Sequence, residues 1–220
     1  MSITNEDAAL AALAPAQSTH ARSVRSLATL RGAAWYFLRF PTPRMLLASA
    51  AVLGAVRIVL GQPRLGDLAA FGCVAAVWPL VEWFLHSAVL HFRPRTIAGR
   101  RVDPLFARYH RYHHEHPWIL ERTFLPVPVL AVLLPINAAV FVLAMPTITT
   151  GLSVACATSL AALGYEWTHY LTHTPYRPRS RFYAAIQRHH LRHHFSDEEK
   201  SFAFLVPAID RWLGTAEPPR

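Results

Sequence analysis

Apolar residues run almost unbroken through four stretches of the chain, at about 45–61, 68–91, 124–145 and 147–172. A helix crossing the apolar core of a bilayer needs about 20 such residues. The last three stretches are long enough, and the first, interrupted by Arg57, is the shortest. The links at 62–67 and around Pro146 leave room only for turns, so they join the stretches into two helical hairpins. The pattern predicts an all-α integral membrane bundle of about four transmembrane helices. Ahead of it, residues 1–26 carry no sustained period and read as a mobile arm. Between 27 and 40, Trp35, Tyr36, Phe37 and Phe40 mix with Arg31 and Arg39, a composition suited to the membrane interface, until Pro41 and Pro43 break it. The chain thus divides into a flexible basic N-terminal arm with an interfacial segment, 1–44, and a membrane-embedded domain, 45–220.

Composition supports this division. Hydrophobic residues make up 53% of the 220 positions and charged residues only 16%, well under the roughly 25% of soluble domains. A net charge of +9 would suit nucleic acid if it formed a soluble patch, but the basic residues flank apolar runs instead, so no nucleic-acid partner is expected. Twenty of the 22 Lys and Arg residues precede the first span, fill the loop 92–123 or follow the fourth span. The positive-inside rule then places both termini and the middle loop in the cytoplasm. The first 30 residues lack the order of a secretory signal. Cys73 and Cys156 sit apart inside apolar runs and read as small buried hydrophobes, not as ligands or a disulfide.

Twelve of the thirteen histidines fall in four patches, and only His20 stands alone. His110, His113 and His114 are spaced i, i+3, i+4, as are His190, His193 and His194, so each triplet projects from one helix face and could grip a metal together. His169 and His173, four apart, share a face in the same way. His86 and His91, five apart, would diverge by about 140° on a regular helix. They cooperate if the helix ends there, if it contains a wide turn, or if they serve different metals, and the helix end is expected between them. Imidazole is the commonest ligand for transition metals, and ten such side chains point to two metals rather than one. His116, followed by Pro117, and His189, aimed away from its neighbours' face, read as peripheral.

In the predicted topology the second and fourth spans both run toward the cytoplasm, so all four patches converge on one side, forming a cytoplasmic histidine-rich helical cap. Three other readings compete: satisfied core histidines, an accidental histidine-rich tract, and a basic surface for anionic lipid headgroups. The spread of the patches over more than a hundred residues on one membrane side favours coordination. Glu82 and Glu166 lie on apolar spans, one turn before His86 and His169, where a charge is costly. Either they receive the outer N–H of a ligating imidazole, or they are interfacial carboxylates paired with an Arg.

These pieces, Glu82-Trp83-Phe84-Leu85-His86 with His91, His110 with His113 and His114, His169 with His173, and His190 with His193 and His194, resemble the fatty acid hydroxylase and sterol desaturase superfamily. Asp210-Arg211-Trp212-Leu213-Gly214-Thr215 resembles that family's closing segment, and the likeness covers roughly residues 70–215. The 169/173 pair shortly before the last triplet is most like the fatty acid 2-hydroxylase branch. The resemblance implies a membrane di-iron, O2-dependent oxidoreductase that hydroxylates a long-chain fatty acyl or sphingolipid-type substrate, with the ten histidines as ligands of two irons, or of zinc as purified. Carotenoid or sterol hydroxylation, desaturation, and a non-catalytic membrane metal-binding role are the alternatives. Arg108, Tyr109, Tyr112, Tyr170 and Tyr176 are candidates to orient a headgroup, or are interface anchors. Many eukaryotic members carry a fused haem domain, for which residues 1–44 are too short and too poor in histidine, so a separate electron-transfer protein is expected to act as donor.

Overall fold

A computed structural model describes residues 25–218; most of the N-terminal arm, His20 included, lies outside the described residues. A 3-10 turn at Arg25–Ala28 leads to α1 (Leu30–Phe37), α2 (Pro41–Val59) and α3 (Leu65–Phe84), the last continuing as a π-helical segment over Leu85–Leu90. A short hairpin of β1 (Arg95–Ile97) and β2 (Arg100–Val102) precedes α4 (Leu105–Glu115) and a 3-10 turn at Leu120–Arg122. Then come α5 (Val127–Ala144), α6 (Ile148–Thr172), α7 (Arg181–Phe195) and α8 (Ala208–Leu213).

Four helical segments are long and apolar enough to span a membrane: Pro41–Val59, Leu65–Leu90, Leu120–Ala144 and Ile148–Thr172. The chain is a multi-pass integral membrane protein. The second and third spans leave Leu68, Val77, Leu80, Ile136, Val140 and Leu143 on the outside, as a lipid-facing surface requires. The fourth, α6, is the axis and packs against α2, α3 and α5. The buried residues of its first half are mostly small, Gly151, Ser153, Ala155, Ala157 and Ser159 among them, which let backbones approach where apolar burial gives no drive between helices. Ser49 Oγ meets Ser159 Oγ at 3.1 Å, and the Asn137 amide donates to the Ala155 carbonyl at 3.2 Å.

The hairpin expectation needs one correction. α2 lies along α6 rather than along its chain neighbour α3, and the α2–α3 link is held at its tip by ions. Arg57, buried despite its charge, donates to both carboxylate oxygens of Asp67 at 2.8 and 2.6 Å, and Ser153 Oγ of α6 adds a bond to the same carboxylate. The charge that made the first span look insecure is thus its fastening. Cys156 is buried and donates to the Ala50 carbonyl at 3.3 Å, whereas Cys73 is exposed on α3, against expectation, because that helix turns most of its surface outward.

The segment expected at the interface is half interior. Leu27, Ala33 and Phe37 form a core with Leu120, Phe124, Tyr170 and Leu171, while Trp35 points outward. The β-hairpin, read from the sequence only as a basic loop, turns at Ala98 and Gly99, whose φ angles of 49° and 75° fit a two-residue hairpin turn.

Candidate metal centre

The far end of the bundle from Arg57 gathers the histidines. Beyond Phe84 the α3 ladder widens, and the His91 N–H reaches back five residues to the His86 carbonyl at 3.1 Å. The helix does end between the two residues, at Leu90 with His91 as its C-cap, and it ends in a wide turn that returns positions five apart to one face. α4 supplies His110, His113 and His114, the end of α6 supplies His169 and His173, and α7, capped by Ser180, supplies His190, His193 and His194.

Ten imidazoles form two groups, each with ligand atoms within 4.8 Å of one another: His86, His91, His110, His114 and His193, and His113, His169, His173, His190 and His194. The triplets therefore do not grip one metal each. Their i, i+4 members enter one group and the i+3 member the other, so α4 and α7 each serve both. The stacked rings of His114 and His194, 4.2 Å apart, lie where the groups abut.

The atoms in the groups face one another in a way that hydrogen bonding cannot satisfy. His110 Nε2 lies 3.1 Å from Nε2 of His86, of His91 and of His114. A neutral imidazole nitrogen carries one proton or one lone pair, so at most one of these contacts is a hydrogen bond. Around a cation with metal–nitrogen bonds of roughly 2.1 Å, neighbouring ligands at right angles stand about 3 Å apart, and every lone pair is used. His190 Nε2 shows the same crowding, 3.0 Å from Nε2 of both His173 and His194, and both ring nitrogens of His113 are buried with no protein partner. The donor set fits transition metals bound by nitrogen.

Burial is the main electrostatic fact. It holds His110, His113, His173, His190 and His194 neutral far below the ordinary range, with the neighbouring imidazoles adding to the effect. Desolvation likewise lowers His91 and His193 to about 3. Neutral imidazole is the form that binds metal.

Two outer ring nitrogens have their backbone partners in one loop, residues 200–205. His86 Nδ1–H donates to the Phe202 carbonyl at 2.6 Å and His193 Nδ1–H to the Lys200 carbonyl at 2.7 Å, which presents Nε2 as the free lone pair. Glu82 and Glu166 take neither of the roles weighed for them. Glu82 Oε1 accepts the Phe204 and Leu205 N–H groups, and Glu166 Oε1 accepts that of Leu125, because these loops cross the spans with unpaired amides. His116 caps α4, and His189 bonds Asp210 at 2.8 Å. Tyr170 donates to the Ala33 carbonyl inside the bundle, away from any headgroup, while Tyr109 and Tyr112 enclose the Arg122 guanidinium at 4.6 Å each. The carbonyls of Lys200 and Phe202 gave no sequence signal, since every residue has one.

A four-span helical membrane protein with ten imidazoles, seven buried and three partly so, in two abutting groups that could each hold a metal ion is the class that fold and site define. The chain belongs to the fatty acid hydroxylase family, whose model matches residues 71–215. It is 27% identical over 154 residues to the Arabidopsis thaliana dihydroceramide fatty acyl 2-hydroxylase FAH2, covering 70% of this chain and 62% of that protein. Human fatty acid 2-hydroxylase is 26% identical over 148 residues, 66% of this chain and 38% of that protein. The chain thus spans less than two thirds of the length of either relative. The solved structure of full-length scs7p, in which only the hydroxylase domain is visible, aligns with a TM-score of 0.67 at 20% identity, over 81% of this chain and 66% of that one, and shares the fold.

Proposed function

We propose that the chain is an O2-dependent di-iron hydroxylase that places a hydroxyl on carbon 2 of a long-chain fatty acyl or sphingolipid-type substrate. One observation carries the reading: His110 from one group and His169 from the other border the same cavity of about 40 Å³, lined also by Leu90, Phe106, Phe124 and Tyr165. An aliphatic carbon there lies against both groups at once. The names of the relatives support the substrate class.

Iron held in the two groups would supply the activation of O2 and the oxidation of an unactivated C–H bond, which side chains cannot perform. The protein's own residues do the rest. The ten histidines present neutral lone pairs, and the carbonyls of Phe202 and Lys200 hold the His86 and His193 rings in orientation. Leu90, Phe106 and Phe124 exclude water and receive the methylene chain. Arg122, on the same wall and fixed between Tyr109 and Tyr112, orients the substrate carbonyl, which in a 2-hydroxylation sits one bond from the reacting carbon. Electrons come from a separate electron-transfer protein. The exposed Arg95, Arg100 and Arg101 of the β-hairpin offer an acidic carrier a basic face. The termini and histidines lie on the cytoplasmic side, a reading supported by the flanking Lys and Arg residues.

The test is lipid profiling of a host with and without the chain, with His193→Ala as the inactive control. Lipids heavier by one oxygen at carbon 2, present only with the wild-type chain, are expected. Lipids lighter by two hydrogens would make it a desaturase, and an unchanged profile with metal bound would make it a non-catalytic metal protein. Zinc in a purified sample decides nothing, since imidazole sites bind it tightly; activity is assayed after loading with iron.

A further inference from the structure

Residues 200–205 form no helix or strand, yet every backbone N–H in them donates a hydrogen bond and two of their carbonyls receive an imidazole N–H. The peptide unit between Phe202 and Ala203 is held on both edges: its carbonyl receives His86 Nδ1–H, and its N–H donates to Asp210 Oδ2 at 2.8 Å. The unit between Lys200 and Ser201 repeats the arrangement, its carbonyl receiving His193 Nδ1–H and its N–H donating to the Thr215 carbonyl at 2.8 Å. Because a peptide unit is planar and stiff, fixing one edge fixes the other.

Two buried carboxylates hold this strap. Asp210, with no exposed surface, takes the Phe202 N–H and the Thr215 hydroxyl on Oδ1, and the Ala203 N–H and His189 Nε2 on Oδ2. Glu82 takes the next two amides, Phe204 and Leu205. Four consecutive N–H groups thus end on two acids, one from α3 and one from α8. Trp83 Nε1, beside Glu82, closes the assembly on Thr215 Oγ1 at 3.1 Å.

His86 and His193 belong to the same metal group. Toward the other group the strap offers only the Phe204 ring, packed on His169 and His190, and no hydrogen bond among the described residues. We infer that the strap 200–205, pinned by Glu82 and Asp210, sets the metal affinity of the group built from His86, His91, His110, His114 and His193, and not that of the other group, whose His169 and His173 lie against the backbone of Thr123 and Pro117 instead. Glu82 and Asp210 are positioning residues: Asp210 holds the unit whose carbonyl orients His86 and, through Thr215, the one whose carbonyl orients His193, while Glu82 anchors the next two amides of the strap. The carboxylate-bound Ala203 amide also polarises the Phe202 carbonyl as an acceptor. The inference rests on the metal-binding reading above.

The test titrates the purified, metal-free full chain in detergent with Zn²⁺ and counts sites. Asp210→Asn keeps one acceptor oxygen but turns the other into an NH2 facing two donors. Wild type is expected to bind two ions, and the variant to hold one unchanged and the second about 10- to 100-fold more weakly, the usual effect of losing a ligand's outer partner. Faster hydrogen exchange of the amides 202–205 accompanies it. Equal weakening of both sites in a folded variant, or no change in either, overturns the inference. If Asp210→Asn does not fold, Glu82→Gln, which keeps an acceptor but loses the charge, decides: faster exchange at 204–205 with both zinc affinities unchanged overturns it. A wild-type chain that binds no pair of ions overturns the metal reading itself.

Discussion

The backbone N–H of His91 donates to the carbonyl of His86 at 3.1 Å, five residues back where a regular helix would reach four. That bond puts both imidazoles into one metal group. Removing either should cost the same ion, so in His86→Ala, His91→Ala and the double variant, elemental analysis should find about one ion lost in each case. Combining His86→Ala with His169→Ala should lose both. Independent losses from the first pair would mean that the wide turn does not unite them.

Arg57→Met leaves the Asp67 carboxylate beside the α2–α3 link with Ser153 and backbone but no cation. Breaking a fully buried pair from one side costs about 3–5 kcal/mol, and replacing both partners by apolar groups is often neutral; Asp67 keeps 18% of its side chain exposed, so the loss here should fall below that range. Thermal unfolding in detergent should show a measurable loss for Arg57→Met and recovery of most of it in Arg57→Met combined with Asp67→Leu.

At Gly151 an added Cβ would stand 2.5 Å from the Phe141 carbonyl oxygen and 2.6 Å from Val142 Cα, both backbone atoms that cannot swing away. Gly151→Ala should separate α5 from α6 and destabilise by about 1–3 kcal/mol. Gly164→Ala, on the same helix with nothing within 4 Å, should be neutral or slightly stabilising. Melting temperatures of the two variants check the contrast.

The metal-free protein should be acid-labile. Burial lowers His91 and His193 to about 3, whereas the unfolded chain protonates its histidines near 6.5. Between those values the unfolded state binds more protons than the folded one, so stability rises with pH, is complete above about 6.5, and drains away as pH falls toward 3. Unfolding temperatures at pH 7.5 and pH 5 check this. Metal loading should raise both, and acid should release the ion as protons compete for the ligands. A metal-free protein equally stable at both values would contradict the burial of these rings.

The four spans were legible in the hydropathy of the chain because crossing a bilayer is a demand each segment meets by itself. The histidines were legible for a related reason, since metal chemistry needs that residue type at helical spacings. Glu82, Glu166 and Arg57 announced themselves as charges in apolar runs, but not their partners, which lie 122, 41 and 10 positions away. The wide turn at Leu85–Leu90 could have been suspected from the five-residue gap but not told from a regular helix end. What the amino-acid order determined by itself was the number of spans, the residues able to bind metal and the end of the bundle where they meet. The tertiary structure alone decided which histidine joins which group and that backbone carbonyls at 200 and 202 orient two of them, because those outcomes depend on rotations between helices and on groups that every residue carries.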